Sequence, residues 1–195
     1  MRKRIIPALL IFASLGFSQE PEHLKVAQLP TGLIGAKSQM KAQTVEAKLL
    51  ELAEIGNKNG EYTYIYNQIV PMLSGKHLPI TDDELLDVRK AMSVQICNFG
   101  IFDYYFCNSK FVQEGNTAAF KKTQGSQLAG GNIYRIDEST LYLLEAANDG
   151  SNRFTTTTSP KAEMFEASPI YKLSDGLYVI LHSSNGTCGE IHVLR

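Results

Sequence analysis

From Ser93 to Leu194 apolar residues recur at about every second position, in short runs rich in Tyr, Phe, Val, Ile and Thr that turn residues interrupt about every ten positions. No other feature restricts the fold as tightly. A period of two can bury a face only as β-strand, and links this short join antiparallel neighbours. The candidate strands are 93–98, 103–112, 117–123, 131–136, 140–145, 152–157, 169–173, 176–183 and 189–194. Gly100, Gly115-Asn116, Gly130-Gly131, Asp149-Gly150, Ser174 to Gly176 and Asn185-Gly186 punctuate them. This half of the chain is expected to form an antiparallel sheet or a small β-barrel.

Upstream the period changes. Val45, Leu49, Leu52 and Ala53 stand at helical spacing and predict a helix of about 15 residues from Lys37, stopped by Gly56 to Gly60. Tyr62, Ile65, Tyr66, Ile69, Val70 and Leu73 make a second stripe, which Pro71 should bend or end near Val70. Thr81-Asp82-Asp83-Glu84 reads as a capping box, with Ile80 and Leu85 as its hydrophobic staple, and predicts a third helix running to about Met92. The capping position gives these carboxylates a structural task ahead of a metal or acid-base one. The expected class is α+β: one domain over 37–195, with helices in 37–92 packed on one end or face of a sheet in 93–195. Residues 19–36 hold two prolines and two glycines without a period and read as a linker or extended arm, so a chain starting near Ala36 is expected to fold.

The first residues read as an address. Arg2-Lys3-Arg4, an apolar run from Ile5 to Phe17 and the small residues Gly16 and Ser18 form the three parts of a secretory signal peptide, 1–18, with cleavage near Ser18. The protein is accordingly expected in the periplasm or outside the cell. Loss of three cations with that segment moves the formal charge from -1 to -4. A chain so charged lacks the basic footprint of nucleic-acid binding, and no apolar run reaches the ~18 residues of a membrane span.

Export permits disulfides among Cys97, Cys107 and Cys188. Cys97 and Cys107 lie in two β-prone runs joined by a short segment and are expected to bridge neighbouring strands, leaving Cys188 as a buried thiol. No cysteine pair has the spacing of a zinc or redox site.

No catalytic, metal or cofactor set is complete. His23, His77, His182 and His192 are scattered without an H-x-x-x-H pair; His182 and His192 can face each other across a final hairpin, but read foremost as polar residues on its solvent side. Gly125-Ser126 lacks the rest of a nucleophile elbow. The most informative segment is Phe120 to Arg135, a polar, glycine-rich connection holding Lys121, Lys122, Gln124, Gly125, Ser126, Gln127 and Gly131, with Tyr134 and Arg135 beyond it. Such a loop on a rigid sheet can present binding groups, while its glycines can equally serve only a turn and a bulge.

The run Lys121 to Gln127, followed by Gly131-Asn132-Ile133-Tyr134 and Leu141 to Leu144, resembles the Gly-Ser-Gln region of the exported bacterial domain-of-unknown-function family 4893. The paired Cys97 and Cys107 and the closing Glu190 to Leu194 are similar to that family's cysteines and last strand, so the resemblance covers Ser93 to Arg195. The chain departs from it at Asn98 and Leu128, where that family carries basic residues. A looser likeness is to periplasmic C-type lysozyme inhibitors, small disulfide-bonded barrels with a Ser-Gly-x-x-Tyr loop, of which Gly130 to Tyr134 keeps the glycine and tyrosine. Together these readings imply a non-enzymatic binding module of the bacterial envelope with a protein or glycan partner. The competing reading is a hydrolase built from dispersed carboxylates such as Glu138, Glu145 and Glu166.

Overall fold

The computed structural model describes residues 23–58, 67, 70–71, 73–124, 130–145, 166–182 and 187–195. The β pattern closes on itself. Strands β1 (Lys90–Cys97), β2 (Gly100–Asp103), β3 (Cys107–Glu114), β4 (Thr117–Lys122), β5 (Gly130–Arg135), β6 (Thr140–Glu145), β7 (Glu166–Ser174), β8 (Leu177–His182) and β9 (Cys188–Leu194) form one antiparallel sheet. β3 to β9 pair in chain order, and β1 pairs with both β3 and β9 to close an eight-stranded barrel. β2 continues β3 around a break at Tyr104 to Phe106 and lies along the upper half of β1 as a ninth strand. The expected strand 152–157 lies outside the described residues.

The strand alternation sorts side chains into two layers. Inside the barrel, Phe111, Phe120, Ile133, Leu143, Ile180 and Leu194 form a core in which the Phe111 and Phe120 rings lie 5.1 Å apart. Outside, Val94, Ile96, Val179, Leu181, Ile191 and Val193 meet Val45, Leu49, Leu52 and Ala53 of α1 (Ala36–Lys58). Gly56 lies within α1 rather than ending it. A β-carbon there would sit 2.8 Å from the Cys97 carbonyl, so this glycine lets the helix approach the β1–β2 turn.

The expected three-helix segment packed on a sheet is not what forms: α1 is the only complete α-helix among the described residues. The second stripe falls mostly outside them, with helical backbone at Val70, Pro71 and the fully buried Leu73. The third helix is replaced by a 3-10 turn, Asp83–Asp87, and Lys90 already belongs to β1. Tertiary pairing overrides the capping signal, because Arg89, Lys90 and Arg195 exchange backbone hydrogen bonds where β1 meets the end of β9. Only half of the capping box forms: the Thr81 N–H donates to Glu84 Oε1, whereas Asp82 occupies the cap and makes no capping bond.

That turn plugs one end of the barrel with Ile80, Leu85 and Val88. The arm before α1 crosses the same end and adds Leu24 and Val26 to the core. Asp82 fastens it there, since Oδ2 accepts from the Val26 N–H at 2.9 Å and Oδ1 accepts from Arg135 Nη2 at 2.6 Å. The other end of the barrel is built differently.

Candidate functional site

Successive inward pairs of β1 and β9 change in kind along the barrel axis. Ala91 faces Leu194, Ser93 faces His192, Gln95 faces Glu190 and Cys97 faces Cys188. The interior thus turns from apolar to ionisable, and a disulfide joins the last pair. Lys122 of β4, Glu145 of β6, Ser168 of β7 and His182 of β8 complete the polar layer.

These groups are wired to one another. Glu145 Oε1 lies 3.1 Å from His182 Nδ1, His182 Nε2 lies 2.9 Å from His192 Nδ1, and His192 Nε2 lies 3.1 Å from Glu190 Oε1. The last pair is at ion-pair distance without the alignment of a hydrogen bond. Ser168 Oγ is 3.3 Å from His182 Nδ1. Lys122 Nζ donates to Ser93 Oγ at 2.7 Å. Ser93, Ser109, Ser168, Lys122 and His192 are buried, while the Glu145 and Glu190 side chains stay a quarter exposed.

Burial and charge act against each other here. Burial lowers the His182 pKa, but the carboxylates of Glu145 and Glu190 outweigh it and the net shift is upward. For His192, burial and the neighbouring His182 charge both act downward and push its pKa to about 4. Burial raises Glu145 and Glu190, yet the histidines carry both below the ordinary carboxylate range. Burial also lowers Lys122, partly offset by Glu190.

The sequence-derived loop residues separate. Lys122 turns into the polar layer, whereas Lys121 faces out and pairs with Glu114. Gln124 Oε1 accepts from the Asn108 N–H at 3.4 Å. Gly131 is required by close packing, because a β-carbon there would lie 2.1 Å from the Leu144 carbonyl oxygen. Tyr134 packs on the outer wall with Tyr142 and Leu144, and Arg135 reaches Asp82 at the plugged end, so neither accompanies the loop. Gly125, Ser126 and Gln127 lie outside the described residues. The described residues on either side of it, Lys122 at the end of β4 and Gly130 at the start of β5, stand at the polar end of the barrel.

Comparison with models of protein families, with curated proteins and with solved structures returned no match. What can be said of function comes from the site.

Cys97 pairs with Cys188 and not with Cys107, which is the free thiol. The hairpin register decides this, since Cys97 lies opposite Gly100 at the turn while Cys107 lies opposite Ala91, six positions down β1. His182 and His192 do meet across the last hairpin, but inside a closed barrel and not on a solvent face. The signal for this was in the flanking residues. Ile191, Val193 and Leu194, like Val179, Ile180 and Leu181, are apolar on both faces, which marks strands buried on both sides.

The hydrolase carboxylates diverge. Glu138 lies beside Ile80 at the plugged end, Glu166 pairs with Lys41 of α1 outside the barrel, and Glu145 alone turns to the histidines. Nor do the described residues make a nucleophilic triad, in which serine and acid occupy opposite ring nitrogens; here Ser168 and Glu145 share Nδ1 of His182. Among the described residues no group of three or more His, Cys, Asp or Glu is placed to hold a metal ion.

Proposed function

We propose that this is an exported, non-enzymatic binding module of the bacterial envelope, taking a protein or glycan partner at the barrel end from which the 123–129 connection leaves. The observation that carries this reading is the shared location of the polar loop's stems and the buried ionisable layer, at the end opposite the plug. Eight-stranded barrels offer a rigid rim of this kind. The internal pairing of His182 with Glu145 and His192 favours binding over hydrolysis, because a general base needs a ring nitrogen facing its substrate.

Export is supported by the signal-like leader and by a disulfide that persists in oxidising compartments. No described helix is long and apolar enough to cross a membrane. The resemblance to family 4893 accords with this reading. The looser likeness to lysozyme inhibitors accords with a disulfide-bonded barrel, although the matching Tyr134 lies on the outer wall.

The test is a joint replacement, Gln124→Ala with Ser126→Ala and Gln127→Ala. Immobilised wild-type protein should retain isolated cell-wall glycan or one envelope protein, and the triple variant should melt like wild type while losing that retention. Equal retention by the variant would remove the loop from the binding face.

A further inference from the structure

The order of contacts Glu145, His182, His192, Glu190 sets a proton count. Three contacts stand in a row, at 3.1, 2.9 and 3.1 Å, and each takes one proton: the first two by distance, and the third, which is not aligned as a hydrogen bond, because the Glu190 carboxylate facing His192 Nε2 favours a proton there over a lone pair. Two neutral imidazoles supply two, which leaves one contact with lone pairs face to face. Two imidazolium rings supply four and set two N–H groups against each other across the 2.9 Å gap between the rings. Three protons fit, giving the pair one positive charge. With Lys122 cationic and both carboxylates ionised, the buried layer is then neutral, the condition under which charges are tolerated away from water.

We propose that the His182–His192 pair holds one shared positive charge and that this charge is a pH-responsive latch tying together the ends of β6, β8 and β9 at the polar end of the barrel. Glu145 and His182 are the last residues of β6 and β8, and Glu190 stands near the start of β9, so the latch spans three strand ends on that side. The groups facing it are Glu145 from β6, Glu190 from β9 and Lys122 from β4, with the Cys107 thiol of β3 near that lysine. Ser93 and Ser168 contribute hydroxyls from β1 and β7, and β5 contributes the uncharged Gly131. Of the two rings, His182 holds the charge, having Glu145 on one side and a neutral acceptor on the other. Removing that proton leaves two carboxylates against one ammonium and an empty contact between the rings.

The first measurement needs no variant. Nitrogen-15 NMR of the histidines in the intact mature chain near neutral pH should show His182 protonated on both nitrogens and His192 only on Nε2. Two neutral rings, or two charged ones, would overturn the proposal. The second measurement is amide hydrogen exchange at the ends of β6, β8 and β9. Above the ordinary histidine value of 6.5, opening should become more frequent by up to about tenfold per pH unit, beyond the intrinsic base-catalysed increase, until the folded pair gives up its proton. His182→Gln, which takes away the ring that holds the charge, should remove this excess. Wild-type exchange that follows the intrinsic increase alone would show a charged pair with no latch, and the proposal would fall.

Discussion

Cys97 and Cys188 stand directly opposite each other on β1 and β9, the two strands whose pairing closes the barrel. Their bond encloses 91 residues of chain. A loop of that length restricts the unfolded ensemble by about 4.6 kcal/mol on the chain-entropy model. Reduction, or Cys97→Ala with Cys188→Ala, should therefore lower the melting temperature by roughly 10 °C in a domain of this size. Non-reducing peptide mapping should return the two cysteines as one linked fragment and Cys107 as a free thiol. A Cys97–Cys107 fragment instead would mean that β1 and β9 are not in this register.

Acid should weaken the fold through His192. A histidine whose folded pKa lies at about 4, below its unfolded 6.5, contributes stability that is present above 6.5 and lost as pH falls toward 4. The loss amounts to about 3 kcal/mol over that window. His182, shifted upward, works in the opposite sense: its contribution is complete below 6.5 and declines as pH rises. The pair thus favours a stability maximum near 6.5. Urea midpoints measured across this range should fall on both sides for the wild type, and His192→Gln should flatten the acid side. An acid slope unchanged in that variant would assign the loss to the carboxylates alone.

Gly131→Ala should be among the most damaging single-methyl changes in the chain. The added carbon would meet the backbone oxygen of Leu144 at 2.1 Å, and backbone cannot swing aside as a side chain can. Relief requires β5 and β6 to separate where Gly131 pairs with Glu145, costing at least about 2 kcal/mol. Gly115→Ala is a useful contrast, since its strain comes from a φ of +59° with open space around it and should cost only about 1 kcal/mol. Chemical denaturation of the two variants should rank them in that order.

The barrel was legible in the sequence wherever period and turn agreed: β4, β6, β8 and β9 fall within two residues of the strands read from alternation. It was illegible where a local signal lost to a distant partner. Thr81 to Glu84 has the residues of a helix start, yet β9 lies 100 residues further on and claims Lys90 to Met92 for pairing. The site was half legible. The polarity of the loop located one end of the barrel, but the proximity of Glu145, His182 and His192 depends on the register of β6 through β9, which no local pattern encodes. Tyr134 and Arg135 show the same limit in reverse, being neighbours of the loop in sequence while one packs on the outer wall and the other reaches the plugged end.

Residues 23–35 should prove part of the fold, contrary to their linker-like composition. Leu24 and Val26 are buried in the same core as Leu85 and Phe111, each contributing roughly 1.5 to 3 kcal/mol. The arm also exchanges backbone hydrogen bonds with β5, from Leu29 N–H to the Arg135 carbonyl and from Arg135 N–H to the Ala27 carbonyl. Removing it would uncover the plug and leave Asp82 with Arg135 alone. The summed loss approaches the ~5 to 15 kcal/mol margin of a typical domain. A chain beginning at Ala36 is therefore expected to melt far below one beginning at Gln19 or to aggregate, while Asp82→Ala in the longer chain should cost about 1 to 3 kcal/mol by leaving the half-buried Arg135 without its carboxylate partner. If the Ala36 chain melts like the longer one, the arm only rests on the barrel and Asp82 fastens nothing.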